Sequence, residues 1–552
     1  MKYAWIALLT LNLLVLSSER CGFDLLKRPQ RKLITQENES SRTLLNTNWA
    51  PIKIHLDYSM IEKDLDNGKG NSKDYEDLKE KVMPKTKKIL ESLLSVKKST
   101  NSLMKLNADK CEDITIPEEY KTDGIDADLV IFVLIDTTSF FLNNKIEAAA
   151  IHCLQDSVTH RPIAGYIQFK PDLKVDDEIA VDYMVWLALH ELSHVLVFNE
   201  MLFKDFINDD LTDKDYNSII TKIRTPERVI MGIKSENVMK YSTKHFGCNN
   251  ITGIPLEYNG GAGTAGGHWS KKYMNTDYMI GDSYGENLIT NITLGLFEDS
   301  GWYMPNYTAA NIFMWGKDAK CDFFNPSIKC VEENDDSEVK TPFDKSFCTK
   351  LNYPVCSTGN IFRGNCRGRK YSTLSAYERY FKEENIGGSD FLTDKCPIPI
   401  EIKNGQNYYG GSCRVGTTNN LSSFEKVCPN CACMMGNLQS GSAKNLRVSA
   451  DYRNEEAAEP MERGTTFLKN PLMKLPELNL ETDYRALCVE YDCDEKGNLF
   501  VILAGDKENK VQCTKDKEEI SFKGYRGSLI CPDPDLICDT KYKCKFGCIE
   551  KY

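Results

Sequence analysis

Histidine is scarce in this chain. There are seven in 552 residues, and none follows Cys321. Imidazole chemistry is therefore confined to the part before Cys321. Positive charge is short as well: 69 Lys and Arg face 80 Asp and Glu, for a net charge of −11. That balance argues against nucleic acid as a main partner. Long apolar runs are missing beyond one near the N-terminus, Ala4 to Leu16, and that run is short of the roughly 20 residues of a membrane span. The last residues, Lys545 to Tyr552, carry no hydrophobic tail, so a glycosylphosphatidylinositol anchor is not expected. The glycine-rich stretch Asn259–Trp269 has no Gly-Lys-Ser/Thr after a strand, which excludes a phosphate-cradling loop. A single ordinary core is excluded by length, which predicts two to four domains.

What the chain does have is Leu189-His190-Glu191-Leu192-Ser193-His194-Val195, preceded by the apolar Val181–Ala188. This reads as a buried helix. Residues four apart share a helix face, so His190 and His194 can hold one metal ion together. Glu191 lies roughly 100° round the helix from His190, within reach of a water on that metal without being a ligand. Two imidazoles on zinc with a carboxylate as general base is the zinc-hydrolase arrangement. The competing reading is an amphipathic core face that matches the five-residue pattern by chance.

The N-terminus points to the secretory pathway. Met1-Lys2-Tyr3, the apolar run and Ser17-Ser18-Glu19 make a signal peptide over residues 1–18. Cysteine is plentiful, at 21, which in an oxidising compartment implies a disulfide framework. Sequons at Asn38, Asn250, Asn291, Asn306 and Asn420 fit a glycoprotein of that compartment, secreted or at the cell surface. Residues 19–46, with Lys27-Arg28 and Arg31-Lys32, read as a removable pro-segment. Its Cys21 is the odd thiol: without it 20 cysteines remain. Thiolate is a strong zinc ligand, so Cys21 is a candidate ligand in an inactive precursor. The alternatives are pairing with a partner chain or removal with the signal.

Beyond the pro-segment, Asn48–Asp57, Ala127–Leu134 and Arg161–Phe169 read as strands, Lys79–Leu94 and Leu288–Asp299 as helices. Strands followed by a helix that carries ligands predict a mixed α+β catalytic domain, its helix packed on a twisted sheet. We divide it into an N-terminal subdomain, 47–200, and a second, 201–310, holding an insertion and the third ligand. Seventeen of the 21 cysteines lie at or after Cys321. They predict a disulfide-rich C-terminal domain over 311–525 and a small cysteine-rich tail over 526–552. The cluster Cys428, Cys431, Cys433 reads as disulfides rather than a metal site.

A catalytic zinc needs a third protein ligand. Glu200 is too near and Asp213 poorly placed for a thermolysin-type glutamate. The compact metzincin pattern needs Gly and His where Val197 and Glu200 stand. His245 and His268 remain. His268 is preferred, because Met279 follows at eleven residues, just before Gly281, and fits a methionine turn under the metal.

These stretches resemble the leishmanolysin family of metzincin zinc peptidases, in which an insertion separates the second and third ligands. The resemblance rests on Asn48-Trp49, Cys111 to Val133, Arg161–Gly165, Gly266-Gly267-His268-Trp269, Leu294–Tyr303 and, more loosely, Cys531–Pro534. It implies a metzincin-like fold and one catalytic Zn2+ on His190, His194 and His268. It implies Glu191 as catalytic base, Met279 as the methionine turn and Cys21 as the pro-segment switch. The implied reaction is hydrolysis of protein or peptide substrates by a metal-activated water. Tyr278 reads either as an extra oxyanion donor or as a core tyrosine. Three departures stand out. Val197 replaces a helix-ending glycine, and valine disfavours positive φ, so the helix must run further or the turn be built differently. Ser270 stands in place of an acidic residue, and Lys170 in place of a disulfide cysteine. The alternative, supported by Val197, is an inactive relative acting in adhesion or binding.

Overall fold

The computed structural model describes residues 20–23, 26, 28–29, 31–36, 48–97, 103–138, 140–144, 146–259, 265–282, 286–334, 338–343, 346–402, 411–415, 421–440, 483–504 and 506–543. The expected signal peptide, the sequons at Asn38 and Asn420, and Cys544 and Cys548 lie outside them.

The sheet that carries the site is built from β1 (Arg20–Cys21), β2 (Leu33–Ile34), β3 (Ile54–Asp57), β4 (Leu129–Ile135), β5 (Ile146–Asp156) and β6 (Pro162–Phe169). Its order is β1-β5-β6-β4-β3, with β2 also paired to β5. Only β5 and β6 run antiparallel; the other pairings are parallel. Buried parallel strands need apolar residues on both faces, which Leu-Val-Ile-Phe-Val-Leu-Ile of β4 supplies. Two short strands from the segment read as a pro-segment thus complete the edge of this sheet.

The metal helix α1 (Glu178–Leu196) lies across β5 and β6. Asp177 caps it by accepting from the Ala180 N–H at 2.8 Å. Gly165 on β6 permits the close approach: a Cβ there would sit 2.6 Å from the Val195 side chain. The expected mixed α+β fold, a twisted sheet with the ligand helix packed on it, is what forms.

Some elements differ from the sequence reading. The strand expected over 48–57 divides into Trp49–Pro51 and Ile54–Asp57, on different sheets. Pro51, which has no N–H to offer a ladder, stands at the join. The helix expected from Lys79 starts earlier, at Ser72–Glu76, widens into a π-helical stretch over Asp77–Val82 and continues as Met83–Leu93. Pro84 cannot donate into the regular ladder, and the wider turn absorbs that loss. Lys170 reaches back to Glu147 at 2.7 Å, so an ion pair occupies the place where a disulfide was expected.

Beyond residue 311 the chain is held by disulfides around a six-stranded antiparallel sheet. The strands lie in the order 506–513, 499–503, 485–493, 431–436, 529–530 and 519–520. Nine disulfides join eighteen cysteines among the described residues: Cys111–Cys153 lies wholly before residue 311, Cys248–Cys321 links the two parts, and the other seven lie after residue 311. Cys428, Cys431 and Cys433 all belong to disulfides, as read. Cys531 and Cys538 pair with Cys513 and Cys493, which ties the tail to the sheet. Among the described residues no helix is long and apolar enough to cross a membrane.

Candidate metal centre

α1 is apolar on nearly every side, and from Ala188 to Leu196 it is buried throughout and takes its polar residues with it. His190, Glu191 and His194 are all buried. Each of the two histidines is turned by a backbone carbonyl. His190 Nδ1 donates to the Tyr278 carbonyl at 2.7 Å, and His194 Nδ1 donates to that of Phe198 at 2.7 Å. A carbonyl can only accept, so the Nδ1 atoms carry the protons and the Nε2 lone pairs point inward. Burial pulls the His190 pKa down to about 4 and that of His194 well below its usual value. Both rings are therefore neutral at physiological pH, the form that ligates metals.

His268 joins them from a distant segment. Its Nε2 lies 3.1 Å from that of His190, whose own Nε2 is 3.2 Å from that of His194. The His190 and His268 rings are stacked, and His268 is fully buried. The Trp269 N–H donates to the Met279 carbonyl at 3.0 Å, which places the Met279 turn directly against the third-histidine segment. Asp277 organises that turn. It accepts from Met279 N, Thr290 Oγ1 and Thr293 Oγ1 at 2.6–2.8 Å, and Thr293 in turn accepts from the Trp269 indole. Burial raises the Asp277 pKa to about 6. Sequence reasoning missed this group; its only trace was an Asp two residues before Met279.

Cys21 is the fourth member. Its Sγ is 3.5 Å from His194 Nε2, and the ligand atoms of Cys21, His190, His194 and His268 all lie within 4.8 Å of one another. It is delivered by β1, which runs parallel to β5. Gly22 allows the contact, since a Cβ there would sit 2.5 Å from the Ile146 side chain. Phe23 stacks on the His194 ring at 4.3 Å. These four side chains form a group that could hold a metal ion.

The structure leaves His245 out. Its Nε2 lies 2.8 Å from the Trp315 carbonyl and its ring stacks on Phe313. The Tyr278 hydroxyl is 2.9 Å from Ser193 Oγ, fixed against the metal helix.

Val197 needs no left-handed turn. Its φ is −154°, and α1 ends one residue earlier. The N–H groups of Val197 and Phe198 both donate to the Ser193 carbonyl, at 2.9 and 2.8 Å. Asn199 completes the turn, its side-chain oxygen accepting from Met201 N at 2.9 Å. The Phe198 carbonyl is left aimed at His194. Restoring glycine should therefore harm the fold. Val197→Gly removes a fully buried side chain and adds backbone freedom, costing about 2–3 kcal/mol. Denaturant unfolding would measure it, and a stability gain would contradict this account of the turn.

Comparison with known proteins gives the same direction. A family model described as leishmanolysin matches residues 71–544. The leishmanolysin homolog of Crithidia fasciculata is 31% identical over 293 residues, covering 52% of this chain and 41% of that protein. Leishmanolysin of Leishmania tropica is 27% identical over 442 residues, covering 78% and 58%. A leishmanolysin-like peptidase of Drosophila pseudoobscura pseudoobscura is 27% identical over 324 residues, covering 51% and 47%. The chain spans about half the length of the curated relatives it matches. With most of its length matched by one family model, this protein belongs to the leishmanolysin family of metallopeptidases.

Proposed function

We propose that this chain is a secreted zinc endopeptidase made as an inactive precursor, with zinc on His190, His194 and His268, Glu191 as general base and Cys21 as the blocking ligand. The observation that carries the reading is the convergence of three imidazole nitrogens and one thiol. Tetrahedral zinc with nitrogens at about 2.0–2.1 Å and a sulfur at about 2.3 Å has N–N edges of about 3.3 Å and N–S edges of about 3.5 Å. The edges between histidine nitrogens at 3.1 and 3.2 Å, and the 3.5 Å from Cys21 to His194, fit that donor set. Exposed sequons at Asn250, Asn291 and Asn306, together with the disulfides, support secretion.

Zinc, when bound, supplies Lewis acidity that makes a water acidic near neutral pH and polarises a carbonyl. The protein does the rest. Glu191, next to His190 on α1, takes the proton of the attacking water and passes it to the departing amine. The carbonyls of Tyr278 and Phe198 hold the first two histidines in their ligating tautomer. The turn at Asp277 to Met279 supports the third. Val197 was the sole support for a binding-only relative, and the ligand nitrogens converge despite it.

Removal of the thiol should release latency. Cys21→Ser in the uncleaved precursor is expected to cleave casein at least about tenfold faster than the wild-type precursor, because a serine hydroxyl is a far weaker zinc ligand. Chelator should abolish that cleavage. A variant precursor as silent as wild type, beside an active matured enzyme, would remove Cys21 from the inhibitory role.

A further inference from the structure

The segment that delivers His268 leaves the core at Leu256 and returns at Trp269, where the two residues bridge. Glu257 closes this neck from within. It accepts from the N–H groups of Tyr258, Asn259 and Lys271 at 2.8–3.1 Å, and its own N–H donates to the His268 carbonyl at 2.8 Å. A second carboxylate closes it from outside. Asp394, in the disulfide-rich region, accepts from Tyr258 Oη at 2.6 Å and Asn259 Nδ2 at 3.0 Å on the outgoing side. On the returning side it pairs with Lys272 at 3.2 Å. Four residues away, Asp390 pairs with Lys271 at 2.6 Å. Lys271 and Lys272, in the short helix α2 (Lys271–Met274), are almost wholly buried. Burying two lysines has a large desolvation cost, which only well-placed carboxylates offset.

The backbone at Asp394 is itself unusual. Asp394 and Lys395 stand at φ of +54° and +57°, and neither is glycine. Consecutive left-handed L-residues are strained and persist only where the surroundings impose them. Here the constraints are visible. The next residue is locked in the Cys330–Cys396 disulfide, Thr393 Oγ1 donates to the Cys396 carbonyl at 3.0 Å, and Lys395 pairs with Glu378 at 2.7 Å. The strained corner aims one carboxylate at both ends of the neck.

We propose that Asp394 is a positioning residue for the third metal ligand, so that the disulfide-rich region completes the metal site. This rests on the zinc reading above. Zinc affinity of the matured chain, measured by competition with a chromogenic chelator, tests it in wild type, Asp394→Asn and Glu490→Gln. Glu490 belongs to the same region, pairs with Lys426 at 2.9 Å and touches neither the neck nor the corner at Asp394. Asp394→Asn should lower affinity 10–100-fold, the usual effect of losing a partner that orients a ligand, and should shift the visible bands of the cobalt-substituted protein. Glu490→Gln should stay within about twofold of wild type with unshifted bands. Folded Asp394→Asn with wild-type affinity and spectrum would overturn the proposal. So would an equal loss in both variants, which marks general destabilisation. If Asp394→Asn is not secreted folded, Tyr258→Phe with Asn259→Ala removes the outgoing arm alone. A loss of about three- to tenfold is then expected, and no loss overturns it. Wild-type protein that binds no zinc would sink the zinc reading itself, a result distinct from equal affinities.

Discussion

Glu191→Ala in the matured chain should reduce kcat/KM on casein by about 10²–10⁴-fold, the range general-base catalysis supplies. Zinc content should stay at the wild-type level, because the proposed ligands are the three histidines. Glu191 is fully buried on α1 beside His190, where a change of side chain leaves the backbone ladder intact. Zinc analysis therefore separates this variant from one that has lost the site. Glu191→Ala with wild-type turnover would end the proposed mechanism, and loss of zinc would make Glu191 a ligand or a structural support.

The second large effect concerns the third ligand. His268→Ala should lose bound zinc, with activity falling below detection. His245→Ala should keep zinc in its folded fraction at some cost in stability. The difference follows from position. His268 Nε2 stands 3.1 Å from His190 Nε2, whereas His245 bonds the Trp315 carbonyl inside the core. Metal analysis of the two purified variants is the check. Zinc retained in His268→Ala and lost from His245→Ala would reverse the assignment.

The ease of reading differed from element to element. His190 and His194 were legible because one regular helix turn fixes their relation, and nothing distant can alter it. Choosing between His245 and His268 took more, since both lie past an insertion whose path depends on tertiary packing. Met279 gave the hint, and the Asp277 hydrogen bonds show why that turn is held where it is. Strand β5 escaped notice because Ala148-Ala149-Ala150 has weak strand preference. It is buried along its whole length, with α1 packed against it and β1 paired to it, so burial rather than side-chain pattern makes it a strand.

Val197 misled for a different reason. Of the two outcomes expected there, a longer helix or a turn built differently, the second holds, with Ser193 and Asn199 building the exit. The C-terminal region was legible only as a cysteine density. Which cysteines pair depends on chain paths that spacing does not encode. The clamp on the third ligand was invisible for the same reason: more than a hundred residues separate Asp394 from Lys272.

The most direct test of the account is metal removal and return. The matured chain would be stripped with chelator, shown to be folded, and titrated with zinc while casein cleavage is followed. The account predicts no cleavage without metal and recovery that levels off at about one zinc per chain, the single catalytic ion of a three-histidine site. Cleavage that persists in the stripped protein, or none at any zinc level, would contradict it.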